Sequence, residues 1–536
     1  MQTVKVSEIL GDTPESQQTS EQVNSTLSSS LSSTRLLKWF ILTLIGLVNG
    51  YAAVVMYARG ETSFAVLTLV LTSLGLFIFG SKKTYAHRYI FPGIAGMILF
   101  IIFPLVYTVG IAFTNYSAKN QLSFERAQSV LLDRTYQSGV SYKFDLYRSE
   151  DGYRLAVKDG KQLLVTDTIN LATSAEQRLE LSPIDAVAGT KAKIKEIVSY
   201  RATLGTLDLV LPNGNAIRMS GLRKFAAVQP LYTLRKDGTT LVSNQTHEIL
   251  LPNMETGFYQ TIDGAGNYTG NPVSPGFSVV VGTANFERIW NDDGIKEPFV
   301  SIFIWTVVFS VLSVGISLII GMVLASIVQW EALRGRAAYR MLLILPYAVP
   351  SFISILIFKG LFNQSFGEIN LVLDALFGIS PTWFSDPLSA KVMVLIVNIW
   401  LGFPYMMILC MGMLKAIPDD LYEASALDGA GPLQNFRNIT LPMMVKPLAP
   451  LMIASFAFNF NNFVMIQLLT QGGPNMIGTS EPAGYTDLLV SYTYRIAFEG
   501  SGGQDFGLAS AITTLIFLLV GGLALFNLRF AKLSEK

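Results

Sequence analysis

Three asparagines set in long apolar stretches are the side chains of this chain best suited to bind a ligand. In the stretch 441–469, Ser455, Phe458, Asn459 and Asn462 are spaced +3, +4 and +7 from the first, so they share one face of a helix. In 391–415, Asn398, Leu401, Gly402 and Tyr405 repeat that spacing, and Gly402 removes a side chain from the middle of the face. Amide, hydroxyl and aromatic groups without a charge suit an uncharged polyhydroxyl solute, the amides pairing with hydroxyls and the rings lying against the apolar side of a sugar. An ion would call for a carboxylate or a ring of carbonyls. The same amides can equally do no more than bond neighbouring helices, at roughly 0.6 kcal/mol each. Phe456, Phe460 and Phe463 form a separate stripe that suits packing.

Covalent and metal chemistry find little support. Cys410 is the one cysteine, and His87 and His247 are too few and too scattered for a histidine site. The spans contain no recognisable nucleophile–base pair. No G-x-x-x-x-G-K-[ST] phosphate loop occurs, so the chain is not expected to be its own ATP-driven motor. Gly500-Ser501-Gly502-Gly503-Gln504 reads as a glycine-rich turn leading into the last apolar stretch.

These faces must be held by elements inside a membrane. Of 536 residues, 51% are hydrophobic and 14% charged, a balance for an integral membrane protein. The net charge of +1 gives no global field for nucleic acid. Residues 1–34 are polar, without an apolar period, and are expected to be a disordered cytoplasmic tail. Stretches at about 37–57, 62–80, 90–113, 299–328, 341–362, 391–415, 441–469 and 507–528 approach or exceed the ~20 residues needed to cross the hydrocarbon. The expected fold is therefore an α-helical polytopic membrane protein with eight transmembrane helices: helices 1–3 over 35–114 and a core of helices 4–8 over 299–536. Arg35, Lys38, Lys82, Lys83, Arg88, Arg334, Arg336, Arg340, Lys415, Arg437 and Lys446 fall in inner segments if both termini are cytoplasmic.

Residues 115–298 form a large insertion with nearly balanced charge and turns at Asp159-Gly160, Asn213-Gly214 and Asp237-Gly238. The pattern predicts a mainly β external domain, with hairpins over Tyr153–Val165 and Leu207–Met219 and helix near Ser123–Asp133 and Ala192–Leu204.

A cytoplasmic loop at 416–442 supplies the second clue. Pro418, the acids Asp419 and Asp420, and Gly429 mark the ends of a short helix, and a second is expected from Pro432 to Ile439. Its Glu423-Ala424-Ser425, then three residues, Gly429, nine residues and Ile439-Thr440-Leu441-Pro442 resemble the EAA loop of ABC-importer permeases. Together with the eight-span layout and runs such as 345–361 and 459–470, the chain resembles the permease subunits of maltose/maltodextrin importers over nearly its whole length. The Glu-Ala-Ser in place of Glu-Ala-Ala is a small-for-small change.

The resemblance implies an immunoglobulin-like external module that meets a periplasmic maltose-binding protein. It implies a second permease subunit (MalG-like), two ATPase subunits (MalK-like) that use the ATP and magnesium, and no cofactor on this chain. It also implies a bacterial inner-membrane location and maltose or maltodextrin as substrate. Carried over residue by residue, Leu401, Gly402, Tyr405, Ser455, Phe458, Asn459 and Asn462 are implied to contact sugar. Asp420, Glu423, Ala424, Ser425, Gly429, Ile439, Leu441 and Pro442 are implied to couple to the ATPase. Import of another neutral oligosaccharide, a channel and a sensory receptor are the alternatives.

Overall fold

The computed structural model describes residues 14–149, 151–160, 162–171, 177–500 and 503–534. Two compact units emerge: 1–113, 286–494 and 508–536 form one, and 114–285 with 495–507 form the other. The external unit thus ends at Asn285 and not at Pro298, and it recruits a segment from far along the chain, Arg495–Gly507. Residues 286–298 go to the helical unit because Pro298 does not end a helix: it lies inside Asp293–Gln329. Proline cannot donate to the carbonyl four residues back. The backbone N–H of Ser480 supplies that bond, donating to the Gly294 carbonyl at 3.0 Å.

In the helical unit, six helices among the described residues are long and apolar enough to cross a membrane: Leu36–Ala58, Thr62–Gly80, His87–Ile111, Asp293–Gln329, Pro387–Leu414 and Pro432–Phe460. The expected fifth span is a broken pair, Arg336–Ala348 and Ser351–Leu361, bent by 90°. Pro346 and Pro350 bracket the bend, and proline both removes a donor and biases its predecessor away from the helix. The eighth expected span falls in Phe506–Ser534. The polar tail departs from expectation in part. Residues 1–13 lie outside the described residues, but from Pro14 the chain is already helical and runs into the first span as Pro14–Ala58. Extending an existing helix avoids the cost of nucleating one.

Spans Asp293–Gln329 and Pro387–Leu414 bury 44% and 39% of their apolar segments within the chain, against 6% or less for the first three. These two helices are the core. Their backbones approach closely, since a Cβ on Gly321 would lie 2.7 Å from the Met407 nitrogen. Two apolar clusters fill the unit. One includes Trp305, Phe309, Val397, Met465 and Ile466, the other Val314, Met322, Met406, Met407 and Met444.

The external unit is mainly β. Strands β1 (Thr135–Ser149), β2 (Gly152–Asp159), β3 (Gln162–Val165), β4 (Gln177–Glu180), β5 (Ser182–Pro183), β6 (Thr190–Lys191), β7 (Leu207–Val210), β8 (Ala216–Gly221) and β9 (Lys224–Pro230) form one nine-stranded sheet. Its order is β4-β7-β8-β9-β1-β2-β3-β5, with β6 also on β1. Both expected hairpins are present, as β2–β3 and β7–β8. The expected helices appear as Phe124–Leu132 and as Ile194–Ser199 with Arg201–Gly205. Strand β1 is shared by both halves, pairing β9 through Lys143 and β2 from Phe144, and β4 pairs β7 in parallel. A smaller meander follows, β10 (Tyr232–Leu234), β11 (Leu241–Ser243), β12 (Ile249–Asn253) and β13 (Phe258–Thr261).

Candidate functional site

The two polar faces meet. The Asn398 side-chain amide donates to Asn459 Oδ1 at 2.7 Å, and Asn462 Nδ2 donates to Asn398 Oδ1 at 3.1 Å. Asn459 Nδ2 donates in turn to the Ser455 carbonyl at 2.8 Å. A primary amide has two N–H donors and two acceptor lone pairs. Asn398 and Asn459 each use one N–H and one acceptor position in this chain of bonds and keep the rest. Along the Pro387–Leu414 helix, Asn398 and Gly402 follow the residues of one apolar cluster and precede those of the other.

The helix carrying the second face is not continuous. It runs from Leu441 to Phe460, breaks at Asn461, and resumes at Phe463–Leu469. Asn462 therefore does not share a helical face with Ser455, Phe458 and Asn459. Its side-chain oxygen caps the new helix, accepting from the Met465 N–H at 3.4 Å, while its NH2 reaches Asn398. Paired asparagines offer local backbone bonds that compete with a helix.

The remaining residues spread outward from this amide cluster. Asn398 is buried, Leu401, Gly402, Ser455, Asn459 and Asn462 are half-buried, and Tyr405 and Phe458 are exposed, Phe458 at 72%. Gly402 opens no gap of its own. A Cβ there would lie 3.2 Å from Ser317 Oγ, so the missing side chain lets the Asp293–Gln329 helix approach. Ser317 and the buried Ser313, whose hydroxyl has no hydrogen-bond partner among the described residues, bring polar groups from a helix that the spacing pattern of the two faces did not touch. The aromatic stripe packs as expected: Phe456 lies 5.8 Å from Phe460, and Phe463 lies 4.9 Å from Tyr494.

The cytoplasmic loop folds as one short helix, Asp420–Leu427, with Asp420 and Glu423 in its first turn. Gly429 follows with φ of 76°, the left-handed region that costs glycine nothing. The expected helix beyond it is not a separate element. Pro432–Asn435 passes through a π-turn at Phe436–Thr440 directly into Leu441–Phe460. The π-turn makes room for Pro442, which a regular helix would not accept without strain. The loop is pinned to this rod by Tyr422 Oη and Thr440 Oγ1 at 2.8 Å, and Tyr422, Phe436, Ile439 and Leu441 pack on the Met322–Met407–Met444 cluster. Asp420, Glu423, Ala424, Gly429 and Pro442 are exposed, whereas Ser425 is half-buried and donates to the Tyr422 carbonyl at 2.8 Å. Leu427 and Leu433, 91% and 80% exposed, flank the glycine as an apolar pair that motif spacing had not marked.

Comparison with known proteins gives these features a context. Residues 122–282 match the family "Maltose transport system permease protein MalF P2 domain", and 36–83 match "MalF, N-terminal region, transmembrane helices". Residues 317–531 match "Binding-protein-dependent transport system inner membrane component". The Maltose/maltodextrin transport system permease protein MalF of Vibrio vulnificus (strain YJ016) is 73% identical over 499 residues, covering 93% of this chain and 95% of that one. The protein of the same name from Escherichia coli (strain K12) is 60% identical over 501 residues, covering 93% and 97%. A solved bacterial ABC transporter involved in import of the polysaccharide alginate aligns at a TM-score of 0.41 and 21% identity, over 48% of this chain and 85% of that one. With identity this high along both chains, the chain belongs to the MalF family of binding-protein-dependent inner-membrane permeases.

Proposed function

We infer that this chain is the permease subunit of an ATP-driven importer that carries maltose and maltodextrins across the inner membrane by alternating access. Its family membership, at 73% identity to a maltose/maltodextrin permease, carries the substrate class. For the site, support comes from the Asn398–Asn459 bond, which joins the two polar faces while leaving donors and acceptors free on both amides. Sugar hydroxyls would exchange with those free positions, and the exposed rings of Phe458 and Tyr405 would lie against the apolar faces of glucosyl units.

Coupling follows from continuity. A separate ATPase subunit docks at the Asp420–Leu427 helix, with Glu423 and Gly429 at its centre, and its closure moves the rod Pro432–Phe460 that begins just past Gly431 and carries Ser455 and Asn459 at its far end. Rocking of this rod against the Asp293–Gln329 and Pro387–Leu414 pair would open the amide cluster to one side and then to the other. A MalG-like second permease, two MalK-like ATPases and a maltose-binding protein at the external unit complete the machine.

Binding-protein-dependent uptake of labelled maltose, against other disaccharides, in vesicles carrying the full complex tests this. Maltose should enter only with ATP and binding protein. Equal uptake of an unrelated neutral disaccharide would point instead to a different oligosaccharide importer, and uptake without ATP would point to a channel.

A further inference from the structure

We propose that the cytoplasmic end of the Asp293–Gln329 helix holds the phosphate of an anionic phospholipid, gripped by Arg334, Arg336 and Arg340. An open cavity of about 600 Å³ lies at the turn between this helix and Arg336–Ala348, lined by these three arginines and, among its other residues, by Glu331. Three guanidinium groups face one carboxylate there, an excess of positive charge on planar donor forks that match phosphate oxygens.

Two of the forks are already set in place. Arg336 Nη1 donates to the Gln329 carbonyl at 3.4 Å and Arg340 Nη2 to the Val328 carbonyl at 3.2 Å. These carbonyls are among the last of the helix and lack partners within it. Each bond uses one of five guanidinium N–H groups. Arg340 Nε is shielded from solvent and has no hydrogen-bond partner among the described residues, so a donor has been desolvated without compensation. Arg334 is exposed and makes no side-chain hydrogen bond among the described residues. The first turn of Arg336–Ala348 adds the backbone N–H groups of Arg336 and Ala337 and the positive end of its dipole, while those of Ala338 and Tyr339 bond the Gly335 carbonyl.

Depth identifies the source of the phosphate. The external unit precedes the N-terminus of the Asp293–Gln329 helix, so Gln329 emerges on the cytoplasmic side. Trp330 and Tyr339, 66% and 49% exposed, flank the cavity, and such amphipathic rings gather at headgroup level. Beyond them, Met341 and Leu342 are apolar and exposed, as expected for side chains entering hydrocarbon. The cytoplasmic leaflet is the one whose anionic lipids attract basic residues near the surface.

The test uses the full complex in nanodiscs of phosphatidylcholine doped with phosphatidylglycerol, followed by native mass spectrometry of the lipids that stay bound. Arg334→Gln removes an exposed, unbonded side chain and leaves the fold intact. It should lower phosphatidylglycerol retention about fivefold, with Arg334→Lys falling less. Arg334→Gln with Arg340→Gln should lower it further, and if that variant fails to assemble, Arg334→Gln decides alone. Inorganic phosphate serves as the competitor. Displacement of the lipid only at concentrations far above cellular phosphate supports the lipid. Equal retention by wild type and Arg334→Gln, equal retention of phosphatidylcholine, or displacement by phosphate at cellular levels overturns it.

Discussion

At Phe458 and Asn459, two neighbouring positions separate sugar binding from helix packing. Phe458 is exposed, so truncating it removes little buried surface and should leave membrane levels unchanged. A sugar site predicts that Phe458→Ala lowers maltose uptake while the complex still assembles and hydrolyses ATP. Unaltered uptake would leave Phe458 without a role in the site. Asn459→Ala acts differently, because it strips the acceptor from the buried Asn398 amide. An unsatisfied buried donor costs about 1–3 kcal/mol, so transport should fall roughly tenfold or more with a modest loss of thermal stability. Both faces were legible in the sequence because the helical period places them. Asn462 and Gly402 were less legible: the first depends on a helix break, and the other on Ser317 from a helix far away in sequence.

Among the elements, the cytoplasmic loop carries the clearest expectations. A Cβ at Gly429 would meet nothing within 4 Å, so substitution there strains only the backbone. A left-handed non-glycine residue costs about 1–3 kcal/mol. Gly429→Val should therefore abolish transport with the protein still in the membrane, and Gly429→Asn, which tolerates that conformation better, should retain more activity. Normal maltose uptake by the valine variant would remove the coupling role. Tyr422→Phe tests the pin between loop and rod. Losing one hydrogen bond of about 0.5–1.5 kcal/mol should raise ATP hydrolysed per maltose transported, measured in proteoliposomes, without changing subunit assembly. The helix before Gly429 was legible from its Pro, acidic and Gly signals. The segment from Pro432 to Ile439 reads as a separate short helix, and the π-turn that carries it into the next span has no signature in local sequence.

Across the whole molecule, the external unit has its own acid sensitivity. Burial pushes the Asp145 carboxyl up, but hydrogen bonds from Lys191 at 2.8 Å and Arg223 at 2.7 Å outweigh it and hold it below the usual carboxylate range. Asp208 is held down by its hydrogen bond to Arg218, against a smaller opposing effect of burial. A carboxyl depressed in the folded state binds fewer protons than when unfolded, so its contribution is present above the unfolded value and is lost as pH falls through the folded one. Because the cationic partners are about half exposed, each pair is worth on the order of 0.2–1 kcal/mol. Hydrogen-exchange protection at β1, β6 and β9 in the intact protein, relative to the intrinsic amide rate, should fall below about pH 4, and Asp145→Asn should flatten that dependence. An identical acid profile for wild type and variant would assign the sensitivity elsewhere.

The sequence by itself determined the membrane class, the positions of the apolar stretches, the mainly β insertion with its two hairpins, and the two polar faces apart from Asn462. All of these are encoded in local period and turn chemistry, which act over a few residues. Tertiary structure decided what distance along the chain conceals. It made the fifth span a bent pair, broke the seventh at Asn461, gave Arg495–Gly507 to the external unit, and linked both halves of the sheet through β1. It also joined Asn398 to Asn459 and Asn462. A buried amide is stable only when a partner satisfies it, and that partner came from another helix more than sixty residues away.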